Sequence, residues 1–153
     1  MDNSIKNRYE QLKTFVTKRK GHFEKLMDFM ENETSWLVSP ASTKYHLSRE
    51  GGLLEHSVNV AETMLKIREA LAPRISIESC VIVSLIHDFG KVGMPGKPQY
   101  LKNEHSKSSD CANGKKDSPY LFNKDLVYLS VPIRSLYLAS KYIDLTEEVQ
   151  YSQ

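Results

Sequence analysis

Ser76-Ile-Glu-Ser-Cys80-Val-Ile-Val-Ser-Leu-Ile-His87-Asp88-Phe-Gly-Lys91 is the stretch on which the reading of this chain turns. The run from Cys80 to Ile86 is almost wholly apolar and rich in β-branched residues, so taken alone it fits a buried strand as well as a helix. Length, the cap and the Gly90 stop favour a helix; propensity alone does not settle the choice, and the His87-Asp88 motif decides it. Ser76 is a good N-cap, Glu78 falls in a first turn where the helix dipole favours an acid, and Gly90 supplies a stop. A helix apolar on every side belongs at the centre of a domain. His87 and Asp88 end it, and an imidazole or carboxylate at the rim of such a helix needs a partner or a metal.

Outward from that helix, residues 53–71 predict a second one. Leu53, Val60, Met64, Ile67 and Leu71 recur at helical spacing and read as one buried stripe, with His56 on the same line. Pro73 cannot continue it. Upstream, residues 4–31 carry Tyr9, Leu12, Val16, Phe23, Leu26, Met27 and Met30 at helical spacing, and Gly21 is the expected break between two helices. Residues 32–52 read as a loop that ends in Gly51-Gly52, a pair suited to a sharp turn into the next helix. Trp36 and the Phe/Met stripe read as core.

Downstream, Lys91–Lys124 is rich in Gly, Pro, Ser, Asn and Lys, with seven Lys against Glu104, Asp110 and Asp117, and reads as a long polar loop. Its cations Lys97, Lys102, Lys107, Lys115, Lys116 and Lys124 are a solvated set that can also draw in an anion. Val131–Ile143 predicts a helix with Pro132 in its first turn and Leu136, Ala139, Tyr142 and Ile143 inward. Thr146 followed by Glu147-Glu148 reads as the start of another, with only seven residues after the cap. The expectation there is a chain cut short or continuing. The whole is expected to be all-α, with N-terminal helices in 1–35 packed on a helical-bundle domain in 36–153 that is incomplete at its C-terminus.

The chain has 153 residues, 21 Lys and Arg against 19 Asp and Glu, and a net charge of +2. That balance gives no clear nucleic-acid footprint. No stretch reaches the roughly 18 apolar residues that cross a bilayer. Cys80 in an apolar run and Cys111 in a polar one form no disulfide framework, which suits a reducing, cytoplasmic setting. His22 and His105 sit beside charged residues and read as surface. Oligomeric state is left open by the sequence.

His56, His87 and Asp88 are the candidate metal ligands. Two imidazole nitrogens and a carboxylate oxygen suit a divalent ion such as Mn²⁺, Fe²⁺, Co²⁺, Ni²⁺ or Zn²⁺, with Mg²⁺ also open, and three ligands leave positions for water and substrate. A lone buried His is ordinarily a satisfied core residue. His-Asp followed by Phe-Gly-Lys is a more specific combination.

Gly51-Gly-Leu-Leu-Glu-His56-Ser, then His87-Asp-Phe-Gly-Lys91 thirty-one residues after that His, resembles the HD superfamily of metal-dependent phosphohydrolases. The lead-in Ser39-Pro-Ala-Ser-Thr-Lys-Tyr-His46 is similar to a branch of it found in bacteria and phages. The resemblance covers residues 36–93 best. It implies an HD-type helical bundle that holds one divalent metal between central helices, and hydrolysis of a phosphoester in a small, nucleotide-like substrate by a metal-activated water. Asp88 would ligate and orient the water, and Lys91 would offset phosphate charge. The alternative for Lys91 is a cation favoured by the helix C-terminus. His46 and Arg49 are candidates to reach the phosphate from the preceding loop. The family's final Asp has no clear counterpart: Asp144 is the best late candidate, and Tyr128–Ser135 offers none of the extra histidines of two-metal relatives. A second expectation is therefore an HD-fold metal- or nucleotide-binding module with little or no turnover. His-Asp-Phe-Gly-Lys-Val-Gly also resembles the HD-GYP branch, which cleaves cyclic dinucleotides, but a Gly-Tyr-Pro motif is absent.

Overall fold

The structure is a computed structural model that describes residues 3–104 and 118–145. In chain order its elements are α1 (Asn3–Lys13), α2 (Lys20–Glu33), α3 (Gly52–Leu71), α4 (Ile77–Ile86), a 3₁₀ turn (Phe89–Val92), β1 (Tyr100–Lys102), β2 (Tyr120–Phe122) and α5 (Val131–Ala139). The described residues are mainly helical. That agrees with the expected helical class, and the addition among the described residues is one antiparallel strand pair, in which Tyr100 faces Phe122 and Lys102 faces Tyr120. The pair lies inside what reads as a continuous polar loop. Tyr100-Leu-Lys and Tyr120-Leu-Phe are too short to show an alternation, and only their cross-strand partners make them strands.

The central helix is α4. Every residue from Cys80 to Ile86 is buried, and Ser76 caps it by accepting the N–H of Ser79 at 2.9 Å. It packs most extensively on α3, to which a short turn through Pro73 joins it. The apolar faces of α1, α2, α3, α4 and α5 contribute to a single core. Trp36 and Phe89 are fully buried there, in edge-to-face contact at 5.8 Å, and Phe29 meets Phe89 edge-on at 6.2 Å.

Three expectations change in the helices. The α3 stripe is not the buried one: Ile67 is 49% and Leu71 80% exposed, and Val60 and Met64 are half-buried. The helix carries a second apolar line, Leu54, Val58, Ala61 and Leu65, at the same three-and-four spacing, and the core takes that line with Leu53. Periodicity alone does not choose between two such lines. His56 consequently lies at the edge of the buried face, within reach of solvent.

The break between α1 and α2 falls at 14–19, and Gly21 sits inside α2. A distant carboxylate makes that break. Glu78 of α4 accepts the N–H groups of Thr17, Lys18 and Arg19 at 2.8, 2.7 and 3.3 Å, and the Nε of Arg19 at 2.6 Å. These are donors that the helices leave unpaired, so the interruption is tied to the domain's central helix.

The last helix stops at Ala139 and turns its Arg134, Ser135, Leu138 and Ala139 inward, while Leu136 is only half-buried. Ile143 and Tyr142 still reach the core through the following turn, Tyr142 stacking on Phe29 at 4.6 Å. The expected helix start at Thr146, together with His105, Lys107, Cys111, Lys115 and Lys116, lies outside the described residues.

Candidate metal centre

Where α4 ends, the backbone changes course so that a buried helix can present polar side chains. His87 keeps helical angles, Asp88 leaves them (φ −108°, ψ 8°), and Phe89 is buried in the core against Phe29 and Trp36. Burial of that ring anchors the turn, and the two preceding side chains face the seam with α3. From α3, His56 meets them.

Three ligand-type atoms converge there. His56 Nε2 lies 3.2 Å from His87 Nε2 and 3.2 Å from Asp88 Oδ2, and His87 Nε2 lies 3.5 Å from the same oxygen. Bonds of about 2.1 Å at angles of about 90–110° separate ligand atoms by roughly 3.0–3.4 Å, so the triangle has the size a divalent ion needs. Among the described residues this is the cluster able to hold a metal. The side chains are 19–28% exposed, partly desolvated yet open on one side.

Protonation is constrained by the surroundings. His87 Nδ1 lies 2.8 Å from the Ser84 carbonyl, which can only accept, so Nδ1 carries the hydrogen and Nε2 presents its lone pair to the cluster. A backbone carbonyl behind a histidine commonly fixes a metal ligand's tautomer this way. Burial pushes the His87 pKa down, against the opposing pull of Ser84 and Asp88, which favours the neutral, ligating form. Burial alone would raise the Asp88 pKa. Hydrogen bonds from His56 and Lys91, with the nearby positive charge, hold it instead well below the usual carboxylate range. One hydrogen on His56 Nε2 therefore faces both a lone pair and a carboxylate, and a cation would serve all three atoms.

The remaining candidates divide. Lys91 Nζ donates to Asp88 Oδ2 at 2.7 Å, so its charge is at the cluster. His46 is exposed, with its ring 6.5 Å from that of His56 and nearly perpendicular to it, at the mouth of the site. Its loop is set by Ser42, whose Oγ accepts the N–H of Tyr45 at 3.0 Å and donates to the His46 carbonyl at 3.1 Å. Leu47 follows with a φ of +52°, and a Cβ on Gly52 would come within 2.0 Å of the Leu47 carbonyl oxygen. Gly52 is thus needed for close approach, whereas the left-handed turn belongs to Gly51 (φ +75°). Arg49 is held by the Glu55 carboxylate. Asp144 is exposed and does not join the cluster.

The supporting residues were not foreseen. Ser135 Oγ accepts the N–H of Gly90 and donates to the carbonyl of His87, and Arg134 donates to the carbonyl of Gly90 at 2.9 Å. The absence of histidine in Tyr128–Ser135 draws attention away from its polar residues. The signal present was an Arg-Ser pair on an otherwise apolar helix, which asks what a buried guanidinium is for.

Compared with known families, with curated proteins and with solved structures, the chain matches none.

Proposed function

We propose that this chain is a metal-dependent phosphohydrolase of the HD type, acting on a phosphoester in a small nucleotide-like substrate. The convergence of His56 Nε2, His87 Nε2 and Asp88 Oδ2 carries the reading, because a neutral imidazole with a fixed tautomer and an ionised carboxylate are the forms a metal requires. His56, His87 and Asp88 would hold the ion, and when bound it supplies a Lewis acid for a phosphoryl oxygen and an acidified water.

The chain's own residues supply the rest. Asp88 is ionised and offers an acceptor that orients a water. Lys91 brings a positive charge to the same edge, suited to charge on a phosphoryl group. His46 offers a ring nitrogen at the open side. The exposed Lys97, Lys102 and Lys124 add positive charge along the chain beyond the site.

One observation favours the second reading, a metal- or nucleotide-binding module without turnover. Asp144 stays apart, and the cluster contains no further acid among the described residues. Metal analysis of the purified chain, paired with hydrolysis of bis(p-nitrophenyl) phosphate and a nucleotide panel, separates the readings. Stoichiometric metal with turnover, both lost in His87→Ala, supports the enzyme. Metal without turnover supports the module, and no metal above the level of a His56→Ala/His87→Ala variant defeats both.

A further inference from the structure

Arg134 is 2% exposed, and among the described residues no carboxylate bonds it. Its guanidinium donates to three neutral acceptors: the carbonyl of Gly90 at 2.9 Å, the carbonyl of Val127 at 3.1 Å, and the side-chain oxygen of Gln99. Its Nε has no partner among those residues. A buried charge ordinarily has a counter-ion, since neutral dipoles recover only part of the hydration it gives up. Here the positive charge is left over.

That charge borders an open pocket of about 420 Å³, whose lining includes Phe122, Asn123, Tyr128, Ser130, Val131 and Arg134. The volume is within the usual range for small-molecule sites. Ser130 is the N-cap of α5 and its side chain makes no cap bond, and Ser130 and Val131 at the positive end of this nine-residue helix line the same pocket as Arg134. The walls are of another character: Tyr128 is 88% exposed, and Phe122, whose ring meets Tyr100 at 5.5 Å, is still 63% exposed. A buried cation without a counter-ion in the lining, a helix N-terminus beside it and exposed aromatic residues make a combination suited to one kind of ligand.

We propose that this pocket is a second ligand site, distinct from the His56–His87–Asp88 cluster, that takes a small aromatic anion such as an aryl phosphate or aryl carboxylate. The anion neutralises Arg134 and the α5 terminus, and its ring lies against Phe122 and Tyr128. Because Arg134 also holds the carbonyl of Gly90, two residues after Asp88, the ligand's charge is linked by one side chain to the turn that presents Asp88.

The test is NMR titration of the full chain, stripped of metal on a chelating resin, with phenyl phosphate, benzoate and neutral benzyl alcohol as probes. The expected result is saturable shifts of the Asn123, Ser130 and Val131 amides with both anions and none with the alcohol. Affinity should fall at least fivefold in Tyr128→Ser, whose side chain is too exposed to matter for folding, and at least tenfold in Arg134→Met. Equal binding of benzyl alcohol, shifts centred on His56 and Lys91 instead, or affinities unchanged in both variants would each overturn the proposal. Using metal-free protein keeps the outcome independent of whether the cluster is a working enzyme site.

Discussion

Ser135 Oγ accepts the N–H of Gly90 at 2.7 Å. The same hydroxyl donates to the carbonyl of His87 at 3.2 Å, so one side chain on α5 brackets Asp88 and Phe89 from either end. Both groups are buried or nearly so. Ser135→Ala leaves the Gly90 N–H without a partner and is expected to cost about 1–3 kcal/mol of stability, read from urea denaturation. Because the lost bonds flank His87 and Asp88, metal affinity is also expected to fall by about tenfold, a common scale for supporting residues of metal sites. Unchanged metal affinity in a folded Ser135→Ala protein would detach α5 from the site.

Gly90 is the second half of that relationship. A Cβ there would lie 2.3 Å from the Val131 carbonyl oxygen and 3.0 Å from the Arg134 Cβ, so Gly90→Ala must push α5 away. Its backbone does not need a positive φ. Close approach is the requirement, and the substitution is expected to destabilise the chain by at least about 1–3 kcal/mol. Gly21→Ala is the contrast, since nothing lies within 4 Å of the added methyl and the residue is inside α2. That variant should gain roughly 0.5–1 kcal/mol. If Gly90→Ala melts with the wild type, the packing of α5 on the turn is looser than described.

What the sequence disclosed and what it hid follow one physical line. Residues 76–91 were legible because cap, apolar run, polar pair and glycine follow one another within a helix's length. Chemistry tied to local pattern could be read, whereas the meeting of His56 with His87-Asp88, thirty-one residues apart, is an expectation that the family resemblance supplies. Pairings between distant segments could not. Glu78 looked like a first-turn acid, and nothing near it in the chain announces that it bonds three amides some sixty residues upstream. The buried line of α3 was ambiguous because two lines share one period, and the neighbouring helices make the choice. Gly90 looked like a helix stop, yet it is a contact surface for α5, a fact that lives in tertiary packing.

Glu78 gives a pH test with a definite sign. Burial would raise its pKa, but the hydrogen bonds from Arg19 and from the backbone of Lys18, Arg19 and Thr17 outweigh it and hold the pKa below the ordinary Glu value. A carboxylate depressed on folding adds stability that is present above the unfolded pKa and lost as pH falls through the folded one. Glu78→Gln is therefore expected to cost about 2–4 kcal/mol at pH 7. The difference from wild type should shrink steadily below about pH 4.5, where the unfolded carboxyl begins to take up its proton. Denaturation midpoints of both proteins between pH 7 and pH 3 decide this. A gap that stays constant over that range would mean that the ionised form of Glu78 is not what ties α4 to the break between α1 and α2.

Lys91 offers the sharpest separation between holding a metal and acting on a phosphate. Its Nζ occupies Asp88 Oδ2 at 2.7 Å, the oxygen that also faces both imidazoles. A cation bound by those three atoms must share that oxygen with a fixed positive charge, so Lys91 opposes metal binding while favouring a phosphoryl oxygen. Removing it should move the two properties in opposite directions. Lys91→Met, which keeps the aliphatic stem, is expected to bind metal about five- to tenfold more tightly, the worth of a partly exposed ion pair. Phosphodiester turnover is expected to drop by about 100-fold, the scale of losing one electrostatic stabiliser of the transition state. Calorimetric metal titration beside a hydrolysis assay makes the comparison. If affinity and turnover fall together, Lys91 is a strut of the site, and the charge at the phosphate must come from elsewhere.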